Sequence, residues 1–157
     1  MSRSAAWPAQ VALMSIRPIY ADRIFRGEKR FEIRRRPVRL IPEALVLVYA
    51  SAPVKAVVGA FTVKHVHVGS PETLWSKYSD GIGVSRLAYE QYLRGADVAC
   101  AIEVDEIVSL PETPLAVLRA ADEAFRPPQS YMFLGEQHGS GLGRVAAAAW
   151  ERARISD

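Results

Sequence analysis

Arg30, Glu32, Arg34 and Arg36 alternate along one short segment, with Lys29 beside them, and that spacing suits the capture of an anion. In an extended strand, residues two apart share a face and lie roughly 6.6 Å apart at about 3.3 Å per residue, so the Glu32 carboxylate can brace the guanidinium groups of Arg30 and Arg34. An arginine fork grips a phosphate through two parallel N–H bonds, and a carboxylate that fixes its rotamer lowers the entropy lost on binding. Arg17 and Tyr20 stand just upstream and extend the set. Nine of the twenty Lys and Arg residues fall between Arg17 and Arg39, against Asp22, Glu28 and Glu32, so this stretch is net +6 and the rest of the chain net −3. A local field of that kind points to a polyanion such as RNA or DNA as partner.

A second set lies farther along the chain. Tyr49 ends one apolar run, Lys55 begins the next, and Ser130-Tyr131 open a late one. Strand ends from distant parts of a barrel meet at one rim, which predicts that these residues share a cleft with Lys29. There Tyr49 would stack on a base or position a phosphate, Lys55 would stabilise charge on the phosphate, and Ser130 would donate a hydrogen bond. RNA supplies its own nucleophile in the 2′-hydroxyl, so groups that orient and neutralise suffice for cleavage. The expected catalytic residues are therefore Lys55, Tyr49 and Ser130. The expected nucleic-acid-binding residues are Arg17, Tyr20, Lys29, Arg30, Glu32, Arg34, Arg36 and Tyr131. His65 and His67 have a chelating i,i+2 spacing, but no third ligand is evident, so the reading includes no metal and no cofactor. Cys100 sits in the apolar run Val98-Ala99-Cys100-Ala101-Ile102 and reads as a small core residue.

The elements that would position these groups follow from periodicity and punctuation. Val11 to Ile16 reads as a strand. Pro18 opens a helix to about Arg26, with Tyr20, Ala21, Ile24 and Phe25 as its apolar stripe and Gly27 as its cap. Strands are expected over 30–36, 44–50 and 55–68, with Gly59 marking a bend or bulge. Ser70-Pro71 starts a helix to about Tyr78, a loop holds Gly81 and Gly83, and a second helix runs from about Ser85 to Arg94. A strand over 98–108, slipping near Asp105-Glu106, precedes a short helix opened by Thr113-Pro114 and a last strand over 129–134. Residues 135–143 read as a glycine-rich joint and 144–155 as a terminal helix. Trp7, Trp75 and Trp150 read as packing residues. Five or six strands, mostly antiparallel and flanked by short helices, predict an α+β fold with a curved or barrel-like mixed sheet.

A chain of 157 residues, half of them hydrophobic, suits one domain with a full-sized core. The expected organisation is an N-terminal extension over 1–10, a domain over 11–134, and the joint with its helix over 135–157. No apolar run approaches the roughly 20 residues that span a bilayer, so no membrane partner is expected and a cytoplasmic location is.

Ser15-Ile16-Arg17-Pro18, Tyr20 at the start of the first helix, and Gly27-x-Lys29-x-x-Glu32-x-Arg34 leading into a strand resemble the signature of the ASCH domain, over about residues 11 to 134. That resemblance implies a small PUA-like β-barrel, RNA bound in a cleft beside it, and in some members hydrolytic activity of the ribonuclease or acylcytidine amidohydrolase kind. In the amidohydrolase branch, a Thr three residues after the Lys serves as nucleophile. Glu32 stands there in this chain, and a carboxylate cannot take over from a hydroxyl without changing the chemistry. The expectation is an RNA-binding protein with a basic cleft and ribonuclease activity on single-stranded RNA. The alternatives are a non-catalytic RNA-binding module and an amidohydrolase acting on a modified nucleoside such as N4-acylcytidine.

Overall fold

The structure, a computed structural model, describes residues 7–135 and 140–155. Parts of the expected N-terminal extension and glycine-rich joint lie outside the described residues. The elements in chain order are β1 (Val11–Ile16), α1 (Pro18–Phe25), β2 (Phe31–Arg34), β3 (Leu45–Ala50), β4 (Ala56–Gly69), α2 (Pro71–Ile82), α3 (Arg86–Tyr92), β5 (Ala99–Pro114), α4 (Leu115–Ala121), β6 (Tyr131–Leu134) and α5 (Ser140–Ile155). Among the described residues, no helix is long and apolar enough to cross a membrane.

The six strands form one mixed sheet in the order β2-β5-β4-β3-β1-β6. Among the described residues, only β1 and β3 run parallel, and the other pairs are antiparallel. The parallel pair is joined by a crossover that contains α1 and β2, which brings the basic segment around to the far edge of the sheet. Alternation along each strand divides the core in two. Val11, Leu13, Leu45, Leu47 and Tyr49 face α5, where Ala146, Ala149, Trp150 and Ala153 cover them. Ala12, Met14, Val46, Val48, Phe61 and Ile102 form the other layer with Ala21 and Ile24 of α1. A third cluster joins Phe31 and Ile33 of β2 to Leu74, Ile82 and Tyr89 of α2 and α3.

The sheet curls into a half-barrel, and its two edges come together: Arg34 of β2 donates to the carbonyl of Ser15 in β1 at 3.4 Å and to Ser130 Oγ beside β6 at 2.9 Å. Bulges bend the long strands at Val57/Gly59, Phe61/Val63 and Val63/His65. Gly59 stands where backbone and ring crowd together, since a Cβ there would lie 2.6 Å from the Phe25 ring and 2.8 Å from the Val108 carbonyl oxygen.

Several boundaries differ from the sequence expectation. β5 runs past 108 to Pro114, because Thr113 and Pro114 pair with Val57 and Ala56 of β4, and β6 begins at Tyr131 rather than 129. β2 is confined to Phe31–Arg34 rather than 30–36, because Arg30 N–H is drawn to the Gly81 carbonyl at 2.7 Å and Pro37 disfavours regular pairing just beyond. α2 runs past Tyr78 to Ile82, with Gly81 inside it, for a packing reason: a Cβ on Gly81 would meet the Phe31 ring at 2.9 Å. α5 takes in Gly141 and Gly143, which read as breakers, because Gly141 lies close against Ala121 and Leu118. Cys100 is buried as expected, and burial pushes its thiol pKa up, away from nucleophilic use.

Candidate functional site

The site is organised around a charge held inside the protein. Gly27 leaves α1 at φ +78°, and the turn behind it is fixed by Glu28 and Lys29 N–H groups donating to the Arg23 carbonyl at 2.9 and 3.1 Å. This carries Lys29 inward until only 2 % of it is exposed. Its ammonium donates to the Ile82 carbonyl at 2.7 Å, faces Glu32 Oε1 at 3.5 Å and lies 5.5 Å over the Tyr20 ring. Glu32, 5 % exposed, accepts from Arg34 Nη1 through its other oxygen at 3.2 Å. Arg23 reaches over the same Tyr20 ring and donates to the Gly83 carbonyl at 2.7 Å, which ties the end of α2 to α1. Gly83 combines φ +69° with a close approach, because a Cβ there would sit 2.7 Å from Lys29 Cβ.

Burial lowers the Lys29 pKa from its ordinary value; the Glu32 carboxylate opposes the shift, while the Arg23 and Arg34 charges add to it. An ammonium so placed gains from any further anion or acceptor that reaches it. The opening beside it is a cavity of about 510 Å³ lined by Ser15, Arg17, Tyr20, Lys29, Glu32 and Arg34, with Val84, Ala88 and Tyr92 across from them. A cavity of this size accommodates a small organic ligand or a single nucleotide unit.

Five of the eight expected binding residues line this cavity: Arg17, Tyr20, Lys29, Glu32 and Arg34. Arg30, Arg36 and Tyr131 do not. The expected ladder Arg30–Glu32–Arg34 is replaced by Lys29–Glu32–Arg34, because β2 begins only at Phe31 and the Arg30 side chain turns outward, its guanidinium 6.0 Å over the Phe31 ring. Arg36 lies exposed beyond the end of β2. Tyr131 packs on the interior layer, and its hydroxyl accepts from Arg39 N–H at 3.4 Å.

Ser130 is exposed and reaches the cavity through its bond to Arg34. Ser15 N–H donates to the Ser130 carbonyl at 3.0 Å, and Ser15 pairs in register with Tyr49, so Ser130, Ser15 and Tyr49 form a row across neighbouring strands. Tyr49 itself is 3 % exposed in the layer under α5 and does not line the cavity. Burial raises its pKa against the opposing charge of Arg119, so the phenol stays protonated near neutral pH. Lys55 is exposed in the turn after β3, with φ +53° and its carbonyl accepting from Leu115 N–H at 2.9 Å. The structure therefore does not bring Tyr49 and Lys55 into the cavity of Lys29.

The sequence reading missed Ser15, Arg23, Gly83 and Tyr92. Ser15 stands in the motif Ser15-Ile16-Arg17-Pro18, whereas Arg23, Gly83 and Tyr92 carry no local signal of a site. The histidine pair has another use than chelation: His67 Nε2 lies 2.8 Å from Glu103 Oε1 and its Nδ1 2.9 Å from the Tyr78 hydroxyl. Among the described residues, no group of three or more His, Cys, Asp or Glu could hold a metal ion.

The ASCH domain model matches residues 14–108, which include Lys29, Glu32 and Arg34. The chain belongs to the ASCH domain family. An ASCH domain-containing ribonuclease of Zymomonas mobilis is 31% identical to it over 126 residues, covering 80% of this chain and 85% of that one. The crystal structure of ASCH from Zymomonas mobilis superposes with a TM-score of 0.77 at 29% identity, covering 83% of this chain and 96% of that chain. A variant of that protein with one serine replaced by alanine gives a TM-score of 0.77 at 26% identity, over 91% of this chain and 94% of that chain. The half-barrel described above is thus the ASCH, PUA-like fold, and the Lys29–Glu32–Arg34 set lies within the segment that defines this ASCH domain.

Proposed function

We propose that the chain binds single-stranded RNA at the Lys29 cavity and cleaves it, with Tyr49, Lys55 and Ser130 as its catalytic residues. The observation that carries this reading is the cavity itself, where the buried Lys29 and the half-buried Arg34 converge on Glu32 and Arg17 stands at the surface. The ribonuclease from Zymomonas mobilis, similar over most of both chains, supports the choice of RNA and of a cutting activity. Glu32 repels a phosphate, so the phosphates run past Arg17 and one outer N–H group of Arg34 while a base turns inward.

From Arg34 the strand passes Ser130 and continues toward the ends of β1 and β3, following the row of Ser130, Ser15 and Tyr49. That row spans two strand spacings, about 10 Å of backbone, or between one and two nucleotides. The RNA 2′-hydroxyl gives its proton to water as its oxygen bonds to the adjacent phosphorus, and the bond from phosphorus to the 5′-oxygen breaks as that oxygen takes a proton from water, leaving a cyclic phosphate and a free 5′-hydroxyl. Lys55 neutralises the charge that builds on the phosphate, and the protonated hydroxyls of Tyr49 and Ser130 orient it. Water then opens the cyclic phosphate to a monoester, so the net reaction is hydrolysis, and on this reading the protein acts in the cytoplasm as a hydrolase-class enzyme.

The test is cleavage of labelled single-stranded RNA by Lys55→Ala, Tyr49→Phe and Ser130→Ala beside the unaltered chain. Each is expected to lose at least tenfold in rate with binding largely retained, and affinity should fall steeply with salt as phosphate contacts release counterions. Full cleavage by Lys55→Ala would remove it from the mechanism. Salt-independent binding would remove RNA as the ligand.

A further inference from the structure

The groups on the cavity floor stand in an order that discriminates among bases. We infer that the cavity selects uracil, an inference that rests on the RNA-binding reading above and specifies what enters. Glu32 lies between two cations, 3.5 Å from the Lys29 ammonium and 3.2 Å from Arg34 Nη1. The floor therefore reads donor, acceptor, donor. Each member keeps capacity for a ligand. Lys29 has three N–H donors, of which Ile82 and Glu32 take two. Glu32 has about four lone-pair sites, of which Lys29 and Arg34 occupy two. Arg34 has five donors; Glu32 and Ser15 engage Nη1 and Ser130 engages one hydrogen of Nη2, which leaves the other Nη2 hydrogen and Nε–H.

A ligand edge reading acceptor, donor, acceptor completes this set. Among the four RNA bases only uracil presents it on its Watson–Crick edge, as O4, N3–H and O2. Cytosine offers donor, acceptor, acceptor; its amino group would face a cation and its N3 lone pair the Glu32 carboxylate. Adenine fails in the same way. Guanine is the nearest competitor, matching with O6 and N1–H and failing where its amino group faces the second cation. A group set to hydrogen-bond one edge rejects the wrong one because buried donors and acceptors are left facing their own kind. Tyr92, 46 % exposed and lining the same cavity, offers a stacking face for the ring.

The test uses the full chain and 2′-O-methyl octamers, which lack the nucleophile and so report binding alone. Octamers of uridine, cytidine, adenosine, alternating guanosine and adenosine, and N3-methyluridine are titrated by fluorescence anisotropy. Uridine is expected to bind at least tenfold more tightly than the cytidine, adenosine and mixed octamers, and N3-methylation is expected to abolish that advantage. Glu32→Gln, which gains a donor where the acceptor stood, is expected to shrink the uridine-to-cytidine ratio several-fold; the methylated octamer makes the same test on the unaltered chain should the variant fold poorly. Equal affinity for the uridine, cytidine and adenosine octamers overturns uracil selection while leaving RNA binding intact, as does an unchanged affinity after methylation. If no octamer binds, the RNA reading fails and this inference with it.

Discussion

Lys29 carries a positive charge where water is nearly excluded, and that fixes how the site responds to pH. Its folded-state pKa lies below the ordinary 10.5, with burial as the main cause and Glu32 opposing it. Between the folded value and 10.5 the unfolded chain binds more protons than the folded one, so this residue makes stability rise with pH across that window. An anionic ligand favours the protonated form, so affinity falls as pH rises through the lowered folded-state value. RNA affinity followed by anisotropy at constant ionic strength is expected to decline at a lower pH than an exposed lysine would dictate. Lys29→Met should flatten that limb, weaken binding about tenfold, and cost about 1–3 kcal/mol in urea unfolding through the orphaned Ile82 carbonyl. The sequence showed Lys29 and Glu32 as neighbours in a basic cluster. It could not show their burial, because the carbonyl that holds Lys29 is 53 residues away and the hydroxyl that meets Arg34 is 96 residues away.

Glycine shows at the level of elements what local signals reveal and what they hide. Gly27 was legible as the cap of α1, and it stands in open space, with nothing within 4 Å of where a Cβ would be. Gly83 ends α2 with a similar backbone angle, yet its Cβ would press on Lys29 Cβ at 2.7 Å and Cα at 3.0 Å. Gly27→Ala is therefore expected to cost about 1–2 kcal/mol, the left-handed penalty alone. Gly83→Ala should cost roughly 2–4 kcal/mol, adding the crowding of a packed site to that penalty, and should weaken RNA binding by displacing the ammonium. Chemical denaturation and anisotropy on the two variants separate these effects. Pro18, the Ser70-Pro71 pair and Ser85 marked helix starts correctly because a cap or a missing N–H acts through its nearest neighbours; both serines accept from the backbone N–H three residues on. The start of β2 and the end of α2 escaped because Phe31 and Gly81 settle them together, across 50 residues of chain.

At the scale of the molecule, Arg34 does two things with one side chain: it completes the charged row on the cavity floor and it bridges the edges of the half-barrel through Ser15 and Ser130. Ligand capture and sheet closure are thereby linked. The α+β class and the mixed, mostly antiparallel sheet were legible from strand spacing, since alternation records which faces are covered. The partner of the face made by Leu13, Leu47 and Tyr49 was not legible: 144–155 read as a terminal helix, but an alanine-rich face carries no local signal of which surface it covers. Residues 14–108 carry the family's pattern, but α5 supplies Ala146, Ala149, Trp150 and Ala153 to that layer. A gene fragment trimmed to the recognisable segment would thus encode an incomplete solid, with an oily wall open to its neighbours. Expressed alone, it is expected to collect in the insoluble fraction, whereas the full chain stays in the supernatant after centrifugation; what is diagnostic in a family and what is sufficient to fold are different stretches of this polypeptide.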